Sequence, residues 1–166
     1  MYRLLIVALS LVLFSCAQPA PEEPRPPIPP KPPMPGIFKS LDGQIVWKEY
    51  DCSNKKLPFI LIEKNEILPA RVQRGKEIQH HLVYVACTSK DQDVVIIGKL
   101  SRKIYYRGHV MFQDTTPNFQ IIPGQWNVNA VIAIPPKVKP GDYDFELTLS
   151  SPTTTVKRNL SFVVQK

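Results

Sequence analysis

Three histidines are the side chains of this 166-residue chain best suited to binding a metal ion. His80 and His81 are adjacent, and adjacent residues of a β-strand point to opposite faces of a sheet, so this pair cannot chelate one ion. His109 lies far from them in the sequence, and no Cys-x-x-Cys or His-x-x-His spacing occurs. We therefore predict no metal site and no cofactor.

Acid–base or nucleophilic catalysis is not indicated either. The sequence contains no Gly-x-Ser-x-Gly elbow and no His-Glu-x-x-His motif. Asp91, Asp93 and Asp114 fall where we expect loops, and none has a recognisable partner for proton transfer. We predict that the chain has no catalytic residues and is not an enzyme.

Aromatic and basic side chains are concentrated at one place. Lys103, Tyr105, Tyr106 and Arg107 follow one another closely, and one of the two adjacent tyrosines must face away from the core of a sheet. An exposed ring beside cationic groups can stack on a sugar or anchor a protein partner. We predict a binding patch at these four residues.

The start of the chain has the pattern of a short secretory signal. Arg3 precedes residues 4–14, which are apolar except for Ser10, and the small residue Ser15 precedes Cys16. A helix of that length spans about 17 Å, roughly half the hydrocarbon thickness of a bilayer. We therefore predict a cleavable signal over residues 1–15 and not a membrane span.

The motif Leu13-Phe14-Ser15-Cys16 resembles the lipobox of bacterial lipoproteins. The resemblance implies cleavage before Cys16, attachment of diacylglycerol to its thiol and acylation of the new amino group. The chain would then be anchored to a membrane by lipid. Ala17 in place of Asp resembles the sorting pattern of Gram-negative outer-membrane lipoproteins, which implies an outer-membrane protein facing the periplasm or the cell surface.

If Cys16 carries lipid, Cys52 and Cys87 remain as one pair in an exported, oxidising setting. We predict a disulfide between them. The alternative is two reduced cysteines buried in the core.

Residues 16–36 form a proline-rich tether, in which ten of the eighteen prolines of the chain occur. Proline lacks a backbone N–H, so this tract can neither pair in a sheet nor continue a helix. We expect an extended polyproline spacer of up to about 60 Å. Its PxxP-like repeats are alternatively ligands for a proline-binding partner.

Residues 37–166 alternate apolar and polar side chains with a period of two, which is typical of strands. The clearest strand has Tyr143, Phe145 and Leu147 on one face with Asp144 and Glu146 on the other. Further strands are predicted over residues 44–52, 58–63, 78–87, 94–100, 104–112, 126–134 and 160–164. Such short strands, separated by Gly, Pro and Asn turns, predict an all-β antiparallel β-sandwich of about seven to nine strands.

The ending IPPKVKPGDYDFELTLSSP resembles the last strands of extracytoplasmic immunoglobulin-like domains, in which a Pro-Gly-x-Tyr turn opens the penultimate strand. This resemblance implies an immunoglobulin-like sandwich. Trp47 precedes both Cys52 and Cys87 and Trp126 follows them, so the predicted disulfide is not the inter-sheet bridge of antibody domains.

Two functions from different classes remain open. The leading hypothesis is a non-catalytic lipoprotein that acts as a structural, assembly or protein-interaction module of a cell-envelope complex, similar to the accessory lipoproteins of secretion and pilus systems. Apolar residues on both strand faces, as in residues 82–86 and 94–97, favour a protein partner. The alternative is a glycan- or peptidoglycan-binding module. The formal net charge of +7 comes from scattered residues, and outside the cytosol we expect no nucleic-acid partner.

Overall fold

The computed structural model of the protein describes residues 36–89 and 94–166. Within these residues the chain forms one α-helix, α1 (Gly43–Glu49), a short 3-10 helix (Cys52–Asn54) and nine strands. The strands are β1 (Gly36–Leu41), β2 (Phe59–Leu68), β3 (Arg71–Gln73), β4 (Glu77–Cys87), β5 (Ile96–Tyr106), β6 (His109–Ile121), β7 (Gly124–Ala133), β8 (Gly141–Ser150) and β9 (Thr155–Gln165). The signal sequence, Cys16 and the tether up to residue 35 lie outside the described residues.

The strands form two sheets that pack face to face. Sheet A has the order β1-β7-β4-β2, and sheet B has the order β3-β9-β8-β5-β6. Every pairing is antiparallel except that of the short β3 with β9, which is parallel. The predicted all-β antiparallel sandwich of seven to nine strands is therefore confirmed.

The main core lies between the two sheets. Strand β8 contributes Tyr143, Phe145, Leu147 and Leu149, which are all buried, so the face predicted from its alternation is the inward face. Sheet A supplies the opposing layer from alternate residues of β2, β4 and β7, which include Ile60, Ile62, Ile78, Leu82, Tyr84, Val128 and Ile132. Burial of these apolar faces is the main term that holds the sheets together.

The predicted strand over residues 44–52 is wrong, because this segment forms α1 and the 3-10 helix. Val46 N–H donates to Asp42 O, and Tyr50 N–H donates to Val46 O, both at 3.0 Å. Val46 and Tyr50 are four residues apart, a spacing that fits one face of a helix as well as one face of a strand. Lys48 is exposed on the helix.

Helix α1 covers a second, smaller core on the outer face of sheet A. Val46 of α1 and Cys52 pack there against Val85 and Cys87 of β4, and all four are buried. The odd-numbered residues Val85 and Cys87 of β4 therefore point away from the inter-sheet core. The apolar residues on both faces of segment 82–86 are accounted for within the domain and no longer indicate a partner.

The segment predicted as two strands, over residues 94–100 and 104–112, is a β-hairpin. Strand β5 runs on to Tyr106, and Arg107 and Gly108 form the turn with positive φ angles of 50° and 81°. Gly98 marks a close backbone approach, because a Cβ there would collide with Ser150 O.

Neither helix within residues 36–89 and 94–166 is long and apolar enough to cross a membrane.

The predicted disulfide is present in the structure, where it joins Cys52 to Cys87 with a Cα–Cα distance of 5.9 Å. It ties the 3-10 helix to the end of β4 in the smaller core and does not cross between the sheets, as the position of the tryptophans predicted.

Replacing both cysteines, as Cys52→Ala with Cys87→Ala, should lower the free energy of unfolding by about 2–4 kcal/mol, because the unfolded chain loses a loop restraint. Urea denaturation of the variant and the wild type measures the difference. The matched control is Cys16→Ser, which should leave the domain's unfolding unchanged. Two reactive thiols per denatured Cys16→Ser chain would show instead that the cysteines are reduced.

Candidate interaction site

The structure divides the predicted binding patch between two surfaces. Lys103 and Tyr105 lie on the outer face of sheet B, where the Tyr105 hydroxyl donates to Glu146 Oε1 at 3.5 Å. Tyr106 points the other way and packs on the ring of Tyr143, with 4.8 Å between ring centroids. The Arg107 guanidinium lies 5.3 Å above the Tyr106 ring. The four residues therefore do not form one site.

Tyr106 borders an apolar depression between the edges of the two sheets. We call this depression the lateral groove. It contains a cavity of about 190 Å³ where the start of β6 and the end of β7 stand apart. Its walls are formed by Met111, Phe112, Ala133, Pro135, Val138 and Tyr143, and it continues past Tyr106 and His109.

The first residues of β6 are apolar and exposed at the edge of this groove. The exposed fractions of Val110, Met111 and Phe112 are 51%, 52% and 37%. In the pairing with β5, Ile104 is opposite Phe112 and Tyr105 is opposite Val110, so Met111 is the extra residue of a β-bulge. A bulge re-aims side chains, and here it places Met111 and Phe112 together in the groove wall.

The rim of the groove is basic. Lys137 and Lys139 lie in the connection between β7 and β8, where they line the part of the groove next to Tyr106. No Asp or Glu lines either part of the groove among the described residues. The surface is therefore an apolar wall beside cationic groups, which suits an apolar ligand with negative charge.

A buried polar chain connects the two sheets at a different place. Arg102 Nε donates to His80 Nδ1 at 3.0 Å, which leaves the ring proton on Nε2, 2.8 Å from Asn65 Oδ1. Arg102 also pairs with Asp114 through Nη1 and Oδ2 at 3.1 Å. Burial, followed by the charges of Arg102 and His81, lowers the pKa of His80 to about 3. His80 and Arg102 are both buried, so this polar chain links the two sheets and does not form an accessible reactive site.

The two adjacent histidines do point to opposite faces, as predicted. His80 is fully buried between the sheets and packs 4.7 Å from the ring of Phe145. His81 lies on the outer side of sheet A, where Nδ1 is 3.1 Å from Glu66 Oε1 and Nε2 is 3.0 Å from Asn127 Oδ1. Within residues 36–89 and 94–166, no three His, Cys, Asp or Glu side chains come together in a way that could hold a metal ion.

The outer face of sheet B carries a second, polar surface. Tyr105, Asp144 and Ser161 form a row across β5, β8 and β9, and Ser161 Oγ donates to Asp144 Oδ1 at 2.9 Å. Glu146, two residues further along β8, forms an ion pair with Lys157, whose Nζ lies 3.0 Å from Glu146 Oε2. Hydroxyl, carboxylate and aromatic groups on a shallow face are the groups that bind sugars.

The lateral groove was not predicted from the sequence. The apolar triplet Val110-Met111-Phe112 shortly after the Arg107-Gly108 turn was its local signal, because three consecutive apolar residues in a strand place at least one on each face of the sheet. The opposite wall, from Ala133 to Val138, is brought to β6 only by the tertiary fold.

No protein-family model matches the sequence, and a search of curated proteins finds no match. Solved structures are similar in fold. The C-terminal domain of Wzt has 12% identity and a TM-score of 0.47, and the match covers 64% of this chain and 74% of that one. The CARDB domain of the PF1109 protein from Pyrococcus furiosus, in complex with di-metal ions, has 13% identity and a TM-score of 0.45, with coverages of 67% and 96%.

A family 123 glycoside hydrolase from Clostridium perfringens has 11% identity and a TM-score of 0.45, and the match covers 66% of this chain. The chain spans 27% of that enzyme's length. These similarities carry no information about activity.

The pH dependence of stability should report on His80. The unfolded state binds a proton on this residue near pH 6.5, whereas the folded state does so only near pH 3. The unfolded state therefore holds more protons between these values, and the free energy of unfolding should fall below pH 6.5 by up to about 1.4 kcal/mol per pH unit. Urea denaturation between pH 7.5 and 5.0 measures this slope.

The variant His80→Gln retains an acceptor for Arg102 and should remove most of that slope, whereas His109→Gln, at an exposed position, should retain it. Equal slopes in the wild type and His80→Gln would contradict the assignment.

Proposed function

We propose that this protein is a non-catalytic lipoprotein of the cell envelope that acts as an assembly or protein-interaction module. Its anchor is the lipidated Cys16, and the proline-rich tether holds the domain away from the membrane. The single observation that supports the interaction role is the lateral groove, which leaves apolar side chains in water at the edge of an otherwise closed core.

Exposure of the groove residues costs free energy that a partner could recover. Apolar surface gains about 25 cal/mol per Å² when it leaves water, so burying Val110, Met111 and Phe112 would give a useful contribution to binding. The domain does not need these side chains for its own core, since Phe145, Leu147 and Tyr84 already fill the space between the sheets.

The anchor and the groove can be tested together in the envelope. We expect the wild-type chain, cross-linked in intact cells and isolated from solubilised membranes, to retain a stoichiometric envelope protein. Met111→Glu places a charge in the groove and should reduce the recovered partner by about tenfold, because a buried unpaired charge is strongly unfavourable. The Cys16→Ser variant should be absent from the membrane fraction, because it lacks the thiol that carries the lipid anchor.

The matched control is Leu68→Glu. Leu68 is 44% exposed, near the 52% of Met111, but it lies on β2 outside the groove. This variant should recover the partner as the wild type does. A partner lost equally from both variants, or an intact Met1 in the membrane-associated protein, would contradict the proposal.

The second candidate is a glycan- or peptidoglycan-binding module, and the observation that favours it is the row of Tyr105, Asp144 and Ser161 on sheet B. On this alternative, Tyr105→Ala should reduce co-sedimentation with purified cell wall by about tenfold, because stacking on this half-buried ring is lost. Phe38→Ala, at an exposed ring on sheet A, is the control. Sedimentation that is absent in the wild type would exclude this candidate.

A further inference from the structure

One end of the sandwich is strongly basic. Three connections meet there: the β3–β4 turn, the β5–β6 turn and the segment between β7 and β8. We call this surface the basic end and define it by five residues of these connections, all of which are exposed. They are Arg74, Lys76, Arg107, Lys137 and Lys139.

Backbone hydrogen bonds join two of the three connections. Gly75 N–H donates to Ile134 O at 2.9 Å, and Ile134 N–H donates to Lys76 O at 2.8 Å. Pro135 and Pro136 follow directly and restrict the backbone further, because the proline ring fixes φ. The basic side chains therefore project from a backbone that is already ordered, so binding an anion there requires little additional ordering.

The β5–β6 turn lies beside the segment between β7 and β8. Tyr106, which precedes this turn, lines one depression together with Lys137 and Lys139. The Arg107 guanidinium lies over the ring of Tyr106 and is thereby held near the same two lysines. The five cations thus belong to one continuous surface and not to separate loops.

The positive charge of the basic end is not neutralised by the domain. Glu77 and Asp142 are the acidic residues at the adjoining strand ends, so five cations stand against two carboxylates. Within residues 36–89 and 94–166, none of the five cations forms an ion pair. The opposite end, near α1, is mixed in charge. Its charged residues are Lys39, Lys48, Lys55, Lys56, Asp42, Glu49 and Asp51.

The tether joins the domain on the side of the basic end. Strand β1 begins at Gly36, opposite Asn129, and runs away from the basic end to Leu41, opposite Gln125. Asn129 is four residues before Ala133, the last residue of β7, which is a distance of about 13 Å along the strand. A membrane that holds the far end of the tether is therefore on the side of the basic end and not of α1.

The tether itself carries no net charge that would compete. Residues 17–35 contain two acidic residues, Glu22 and Glu23, and two basic residues, Arg25 and Lys31. A tether of up to about 60 Å limits how far the domain moves from the membrane and also keeps it close enough to return to the surface.

We propose that the basic end binds the anionic phospholipid headgroups of the membrane that holds the lipid anchor. Lysine and arginine side chains are attracted to headgroup phosphates, and the attraction falls off within a Debye length of about 8 Å at physiological ionic strength. The contact is therefore reversible, and the domain alternates between the surface and the layer above it. This inference rests on the anchor of the proposed function and is independent of the lateral groove.

The test uses the full lipidated chain, inserted through its own lipid into vesicles of phosphatidylcholine alone or with about 30% phosphatidylglycerol. A photoreactive amino acid is placed at Pro136 in the basic end or, as the control, at Thr153 in the β8–β9 turn at the opposite end. Both positions are exposed. We expect position 136 to cross-link to phospholipid about fivefold more in the anionic vesicles, and position 153 to give the same low yield in both.

Charge reversal and salt test the electrostatic origin of the contact. Arg74→Glu with Lys76→Glu should reduce lipid cross-linking from position 136 by about tenfold in anionic vesicles. Lys55→Glu with Lys56→Glu makes the same change in net charge at the opposite end and should stay within about twofold. For the wild type, about 0.5 M NaCl should lower the yield to that of the neutral vesicles, because salt screens exposed charges.

Arg74 and Lys76 do not line the lateral groove, so their reversal should leave the recovery of a groove partner unchanged. Equal lipid cross-linking in neutral and anionic vesicles, or from both ends of the domain, would overturn the inference. Cross-links from position 136 to a second copy of the chain or to its own tether, in place of lipid, would overturn it as well. A chain that does not insert into either vesicle would overturn the proposed anchor too, whereas insertion without lipid contact at position 136 would overturn this inference alone.

Discussion

The two sheets of this protein are held together by the contact between their apolar inner faces, and every other feature has to be compatible with that contact. Arg102 is the residue least compatible with an apolar interface, because its charged side chain lies between the sheets and is only 4% exposed. The side chain is accommodated because its guanidinium donates to His80 Nδ1 and to Asp114 Oδ2. This arrangement requires a neutral imidazole, since a second buried positive charge beside Arg102 would be strongly unfavourable. The same hydrogen bond to His80 links β5 of sheet B to β4 of sheet A.

The lateral groove lies where two strands of different sheets meet without pairing. Met111 and Phe112 at the start of β6 share the groove wall with Ala133 and Pro135 at the end of β7. The bulge at Met111 keeps β6 from acting as an unprotected edge while leaving its side chains in the groove. The groove thus follows from the register of β6 against β5 and from the place where β7 ends.

Much of the fold could be predicted from local pattern, and the candidate site could not. Strand β8 alternates strictly, so its inward face was clear from the sequence alone. Segment 44–52 was mistaken for a strand because Val46 and Tyr50 have a spacing common to helices and strands. At the site, the adjacency of Tyr105 and Tyr106 correctly indicated that they diverge, but the bulge at Met111 depends on the register between two strands. The meeting of β6 with the end of β7 depends on long-range topology, which no local pattern encodes.

On the proposed function, the anchor and the groove have complementary roles. The apolar cavity of the groove has a volume of only about 190 Å³, so the groove by itself would bind a partner weakly. A lipid on Cys16 would confine the domain to a membrane, and a tether of up to about 60 Å would restrict its search to a thin layer above the surface. Two proteins held in the same layer meet at a far higher effective concentration than in free solution. A small groove could therefore be sufficient in the envelope and still release its partner quickly, because its contacts are few.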